Sequence, residues 1–477
     1  MTGHVRVRGL FLSGLGLVYL CAFASLRGQI HGLIGSTGIA PVGDTLEYYR
    51  DAGLLRFPTL LWIDGSDRAL DLLCALGIVL SVAVVLGFLR LPCLVLLWAA
   101  YLSLFTAGLM FLGFQWDTLL LECGFLAIFF APSSLTSRGA RGHEASVLAL
   151  WAQRYLLFRL MFASGVVKLT AGDESWWPDL TALTYHYETQ PLPTWTSWHV
   201  HHLPVWFHKA EVLGTFLVEL VVPFLIFLGR MPRLVAFFCF AGLQATIALT
   251  GNYGFFNLLT LVLSITLLDD TMLPWKRQLP APAPPLQPLL WTRRAVLAAM
   301  LLLATLEFSA GLKWEPWPRW VEDGRARIDP LRLTSSYGLF RVMTKERREI
   351  VVEGSRDGQE WKPYGFKWKP GDPDRAPGFV GPHMPRLDWQ MWFAALSSYE
   401  NPRTWWFASF LRRLLDNEPA VVGLLKSNPF EGEPPRYVRA TLYVYEFTTP
   451  AERRETGAWW KRTEAGAFTP VLFRRPG

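Results

Sequence analysis

Three cations interrupt one apolar stretch. Arg154, Arg159 and Lys168 lie in the run that begins at Trp151 and breaks at Gly172-Asp173-Glu174-Ser175-Trp176-Trp177-Pro178. A cation near the centre of a bilayer costs roughly 2.5–3.5 kcal/mol on insertion scales, so such a residue faces a partner, a wet cavity or the membrane edge. At about 100° per residue, Arg154 and Lys168 share one helix face while Arg159 points about 140° and 180° away from them. The three therefore do not form one cluster. Arg154 and Lys168 can snorkel from opposite helix ends. Arg159 lies near mid-span and is expected to pair with Glu219, the mid-span acid of the following membrane segment. Lys168 is expected to place its charge at the outer membrane edge, near Asp117 or Glu122; its alternative chemistry is that of a base in a membrane enzyme.

Other reactive patterns are weak. His199, His201, His202 and His208 offer nitrogen ligands, but their spacing matches no helical ligand pair, and interfacial hydrogen bonding accounts equally well for a mixed Trp/His stretch, so no metal is expected. The five cysteines (Cys21, Cys74, Cys93, Cys123, Cys239) all fall in apolar segments, which disfavours disulfide or Cys-x-x-Cys redox chemistry. The sequence has no Gly-x-Ser-x-Gly elbow, Walker loop, His-Glu-x-x-His or dinucleotide fingerprint, so no cofactor is expected. The net charge of +7 is spread over flanks and a mixed-charge tail, which excludes nucleic acid as the expected partner.

The elements that must position these residues are membrane helices. With 477 residues, 51% of them hydrophobic, the chain reads as a multi-pass membrane protein. Arg6 and Arg8 precede an apolar run over about 9–26, read as an uncleaved anchor, with Ala22-Phe23-Ala24 the alternative cleavage site. Further spans are expected over about 70–89, 91–112, 118–131, 148–169, 212–228, 234–250, 255–268 and 295–312, the last carrying Glu307. With about nine spans, Arg6/Arg8, Arg90, Arg138/Arg141, Arg230/Arg233 and Lys276/Arg277/Arg293/Arg294 collect on one side, which the positive-inside rule makes cytoplasmic. The odd count then places the tail outside the cytoplasm.

The expected architecture is thus a multi-pass α-helical membrane domain over 1–312, with a Trp/His-rich outer loop at 170–210 and a Pro-rich linker at 275–293, followed by an extracytoplasmic α+β domain over 313–477. In that tail, Val351 to Trp361 reads as strand, Asp-Gly turn, strand, part of a β-hairpin or sandwich-like unit, and Tyr437 to Phe447 as another strand. Leu387–Ser397 and Trp405–Leu415 carry apolar residues at helical spacing. The first of these offers Trp389, Met391, Trp392 and Phe393 together, more apolar surface than one buried stripe needs, and is the expected client-binding surface, with a core helix as the alternative.

Several segments closely resemble the lipase maturation factor family. They are Asp329-Pro330-Leu331 with Tyr337-Gly338-Leu339-Phe340, Met343-Thr344-Lys345-Glu346-Arg347, Lys369-Pro370-Gly371-Asp372-Pro373, Arg386-Leu387-Asp388-Trp389 with Met391-Trp392-Phe393, Asn428-Pro429-Phe430, and in the membrane half Tyr49-Arg50-Asp51-Ala52-Gly53, Gln115-Trp116-Asp117 and Trp176-Trp177. The resemblance covers most of the chain. It implies a maturation factor that helps secreted lipases fold and assemble, resident in the endoplasmic reticulum membrane of a eukaryote or the plasma membrane of a bacterium, with the carboxyl-terminal domain on the non-cytoplasmic side. Its partners would be the lipid bilayer and secreted client proteins. A second likeness concerns Ala163-Ser164-Gly165-Val166-Val167-Lys168-Leu169, which looks like the Gly-Val-Lys-Lys-Leu segment of vitamin K-dependent carboxylases, with Lys168 at the position of their basic lysine. Gln115-Trp116-Asp117 stands where that family has an Asn-His-Tyr-like element, so a histidine of that chemistry is missing. The reading is a shared scaffold without the reaction.

Overall fold

The structure is a computed structural model that describes residues 3–136, 145–274, 287–311 and 317–474. Arg138, Arg141, Lys276, Arg277 and the Pro280–Pro285 stretch fall outside them. Five described helices are long and apolar enough to cross a membrane: α1 (Val5–Arg27), α2 (Asp67–Leu86), α3 (Arg90–Ala107), α8 (Val205–Phe227) and α9 (Arg230–Thr250). Beside them pack α4 (Gln115–Phe130), α5 (Val147–Thr170), the shorter α10 (Phe256–Leu267) and α11 (Gln287–Gly311). Between α5 and α8 the Trp/His-rich loop folds into α6 (Ala182–Thr189) and α7 (Trp195–His201).

Local chemistry explains the helix ends. The Asp270 carboxylate accepts the backbone N–H groups of Val5, Arg6 and Val7 at 2.9–3.0 Å, satisfying the orphan donors at the start of α1. Ser66 and Ser146 cap α2 and α5, and Gly87 closes α2 in the left-handed region at φ 86°. The centre is aromatic: Tyr19, Phe23 and Tyr101 meet at centroid distances of 5.3–6.2 Å. A Cβ on Gly124 would lie 1.9 Å from the Tyr19 hydroxyl, so that close approach of α1 to α4 requires glycine.

The carboxyl-terminal part begins with α12 (Arg319–Ile328) and builds one five-stranded antiparallel sheet from β1 (Arg347–Ser355), β2 (Lys362–Pro363), β3 (Tyr437–Phe447), β4 (Trp460–Ala467) and β5 (Leu472–Phe473), ordered β2-β1-β3-β4 with β5 on β3. The first strand and the turn read at 351–361 form, with Asp357 accepting the N–H groups of Gln359 and Glu360, while the second strand is displaced to Lys362–Pro363. The sandwich-like part does not form among the described residues. Where a second sheet would pack, α13 (Arg386–Ala395) and α14 (Trp405–Leu415) cover the sheet instead, burying Leu387 and Met391 of one and Phe407, Phe410 and Leu414 of the other alongside Ile350, Val352 and Ala440.

Candidate functional site

The two halves of the chain meet on buried charge. The Arg386 guanidinium, at the start of α13, donates to both oxygens of Asp117, at the start of α4, at 2.6 and 2.8 Å, and to the Phe111 carbonyl at 3.2 Å. Tyr101 donates its hydroxyl to the same carboxylate at 2.5 Å. One turn along α4, Glu122 pairs with Arg159 and accepts the Tyr337 hydroxyl at 2.6 Å and the Ser335 N–H at 3.0 Å. Farther out, Arg347 of β1 donates to the carbonyls of Glu188, Gln190 and Pro191 and to Glu349, whose second oxygen receives Lys369 at 2.7 Å. The Arg386–Asp117 pair is bidentate, and Arg159 and Arg347 add backbone carbonyls to their single carboxylate bonds, the kind of geometry that offsets desolvation, while the Nε of each of the three guanidinium groups is buried without a partner.

Two expectations about these charges are corrected. Arg159 does not reach Glu219: its partner is Glu122, and Glu219 accepts Lys168 at 2.7 and 2.9 Å. Lys168 in turn is not beside Asp117 or Glu122, because Arg386 and Arg159 occupy those acids. The reason is angular. Lys168 and Arg159 point to opposite faces of α5, so α4 takes one and α8 the other. Arg154 is buried, with Nε on the Thr266 carbonyl at 2.8 Å and its guanidinium 5.0 Å from the centre of the Trp151 ring, while Glu307 pairs with Arg325.

Glu219 is aimed at Lys168 by a break in α8. Pro223 has no N–H to return to the Glu219 carbonyl, and the helix widens to a π-turn over Leu217–Val221 before tightening over Val222–Phe227. Gly165 lets this turn come close: a Cβ there would lie 2.7 Å from Leu220 and 3.0 Å from the Glu219 Cβ. All three Lys168 N–H bonds are engaged, two by Glu219 and one by the Ser164 carbonyl at 3.1 Å, and the ammonium lies 5.3 Å from the Trp176 ring centre. The pair borders a cavity of about 310 Å³. His186 and Tyr187 of α6 form another part of its wall, and burial together with the Lys168 charge pushes the His186 imidazole down to about 4.

The α13 aromatics are placed otherwise than expected. Trp389 and Met391 are 3% and 0% exposed and Trp392 is buried, because α13 is enclosed between the sheet and the helix ends; Trp389 meets Trp116 and Tyr253, and the Trp392 indole donates to the Thr189 carbonyl at 2.9 Å. They cannot be a free client surface. Phe393 is the exception at 39% exposed, stacked on Phe114. It lines a groove of about 1,100 Å³ with Tyr48, Leu109, Leu396 and Trp405, all exposed, and with Arg403 and Asp44.

Residues 6–275 match the lipase maturation factor transmembrane domain and residues 333–470 the lipase maturation factor C-terminal domain. The chain belongs to the lipase maturation factor family. It is 40% identical to lipase maturation factor 2 of Rattus norvegicus over 97% of this chain and 82% of that one, and 40% identical to lipase maturation factor 2 of Homo sapiens over 99% and 83%. Lipase maturation factor 1 of Bos taurus is 36% identical over 98% of this chain and 89% of its own. No solved structure matches.

This lipase maturation factor relative is therefore a membrane protein whose two family domains are joined by the Asp117–Arg386 and Glu122–Tyr337 contacts. Among the described residues no group of three or more His, Cys, Asp or Glu side chains could hold a metal ion. His208 bonds Glu211 at 3.1 Å and His202 the Trp198 carbonyl at 2.7 Å. Sequence reasoning passed over the joining role of Arg386, Tyr337 and Arg347, although each stands inside a segment that carries the family resemblance. No charge count reveals it, since Asp117, Glu122 and Glu219 are matched in number by Arg154, Arg159 and Lys168 of the same half, and only the helix angles leave Asp117 to Arg386.

Proposed function

We propose that the protein is a non-catalytic maturation factor that holds secreted clients, lipases by its relatives' names, in the groove lined by Tyr48, Phe393 and Trp405. The observation that carries this reading is the exposure of large apolar side chains, Tyr48, Leu109, Phe393, Leu396 and Trp405, along one concavity between the two halves of the chain; contiguous exposed apolar surface of that kind marks interaction sites. Asp44 and Arg403 at its edge supply the polar rim that orients a bound chain.

The groove faces the side on which we place the carboxyl-terminal part, outside the cytoplasm, with nine crossings. The contacts support this arrangement. Asp117 and Gln115 start α4, Gln29 follows α1, Lys168 ends α5 and Asn252 follows α9, and the carboxyl-terminal half or the outer loop touches each of these helix ends. Arg90, Arg230 and Arg233 lie at opposite ends. Base chemistry at Lys168 gains no support from a side chain whose three N–H bonds are all spent.

The test is photocrosslinking in native membranes from a residue analogue at Phe393 or Tyr48, with secretion of active lipase from the same cells. Capture of the lipase from both positions, and its reduced secretion with Phe393→Asp or Trp405→Asp at unchanged membrane insertion, is the expected result. Full lipase secretion by both variants would overturn the reading.

A further inference from the structure

We propose that the Lys168–Glu219 cavity is a binding site for an uncharged, hydroxyl-bearing lipid that enters sideways from the bilayer. The cavity lies between the outer ends of α5, α8 and α9, closed above by α6, Trp176, Leu339 and Phe340. Its side wall is open. Contacts between α8 and α9 concentrate on the Val222–Phe227 end of α8, so toward Val205 the two helices part, and the lining residues at the gap include exposed Gly214 and Thr246. Leu213, Leu217 and Val221 on α8 and Leu249 on α9 are exposed apolar side chains beside that gap, a surface suited to lipid tails. A ligand reaching the cavity by this route partitions first into the membrane.

The lining then selects the head group. Leu160, Leu243, Ile247 and Val218 provide an apolar bed for a hydrocarbon chain, while Gln244, Tyr253, Thr215, Thr246 and Thr250 offer neutral hydrogen-bonding groups. The volume, about 310 Å³, is at the lower end of small-molecule sites, which run from about 300 to 1,000 Å³. Charge excludes the commoner lipids. Lys168 is already neutralised by Glu219, His186 is held uncharged, and Glu211 adds a negative charge that receives the Tyr187 hydroxyl at 2.9 Å and His208 at 3.1 Å. A carboxylate or phosphate would have to displace Glu219 from Lys168 in a low-dielectric site, whereas a hydroxyl adds to the remaining lone pairs of Glu219 without breaking the pair. The π-turn fits this use, since such bulges recur where a helix must present a side chain to a ligand.

The experiment uses the full chain in phosphatidylcholine nanodiscs with four diazirine probes: a monoacylglycerol, a sterol, a fatty acid and a phosphatidylcholine. The monoacylglycerol or the sterol should label the Leu243–Thr250 segment about ten-fold above the two charged-headgroup probes, and which of them does so identifies the source. Gly214→Trp should abolish that labelling, as should Thr246→Trp. Ala245→Trp should leave it intact, since Ala245 is exposed on the face of α9 opposite the lining residues Leu243 and Ile247; a Cβ at Gly214 meets nothing within 4 Å, so the fold can accept that change. Equal labelling by the fatty acid or phosphatidylcholine probe, or labelling indifferent to both Gly214→Trp and Thr246→Trp, would overturn the proposal.

Discussion

Asp117–Arg386 and Lys168–Glu219 are both buried ion pairs anchored on helices of the membrane half, yet their surroundings differ. The first is packed on every side, with Tyr101, the Phe111 carbonyl and the Phe255 ring closing around it, and it joins residues 269 positions apart. The second is exposed on one side to a cavity and joins neighbouring helices. Burial of charge is thus common to a structural clasp and a candidate ligand site. What separates them is whether space has been left beside the charge.

Breaking the clasp should cost most. Arg386→Leu leaves Asp117 buried and unpaired and should lower stability by about 3–5 kcal/mol, while Asp117→Leu combined with it should restore most of the loss. Thermal unfolding of the single and double variants in detergent checks this, and equal losses from all three would show that packing, and not charge, holds the seam.

Close to the same seam, Glu188 receives the Phe447 N–H, and burial raises its carboxyl to about 7 against an ordinary value of 4.5. An acid whose folded pKa is raised binds more protons when folded, so its contribution to stability falls as pH rises from about 4.5 to about 7, by at most ~3 kcal/mol. His186 and His201, both lowered to about 4 by burial, act in the opposite direction over an overlapping range. The measurement is therefore a difference: the stability of wild type minus that of Glu188→Gln should decline across this window and be flat above it.

At the cavity the same kind of deletion should be milder. Lys168→Met leaves Glu219 beside space that can take water, and should cost about 1–3 kcal/mol, less than Arg386→Leu in the same assay. Lys168→Arg should retain maturation of a client, because arginine keeps the charge but cannot cycle a proton near neutral pH. A loss at Lys168→Met equal to that at Arg386→Leu would erase the distinction between the two sites. The smallest effect belongs to Phe393→Ala, whose half-exposed ring should change stability by no more than about 0.5 kcal/mol while weakening client capture.

Helix existence was legible because hydropathy alone decides it: each expected span has a helix at its place, including the short one after Gln115-Trp116-Asp117. The strand at Val351 was legible by its apolar run and the Asp-Gly turn after it, and the strand at Tyr437 by its β-branched and aromatic residues, whereas Trp460–Ala467 was missed, since as an edge strand it exposes nearly every side chain and carries no apolar period. The site was legible only as a set of residues. Arg159 and Glu219 were legible as mid-span charges and Lys168 as a charge at a membrane edge, but equal depth on consecutive spans suggested Glu219 for Arg159, whereas helix angle turns Arg159 toward Glu122 and Lys168 toward Glu219. Trp389 and Trp392 misled for a related reason. An all-round apolar helix reads alike whether a client or the rest of the same chain covers it.

The clasp also sets a timetable. Arg386 is synthesised 269 residues after Asp117, and at about 5–20 residues per second the acid waits roughly 15–50 s for its partner. Glu122 waits nearly as long for Tyr337. During that interval Asp117 has only Tyr101, already made, as a side-chain partner, and Glu122 has Arg159. Asp117 therefore reaches its final surroundings only when the second family domain folds against the first, and the two domains mature as one unit.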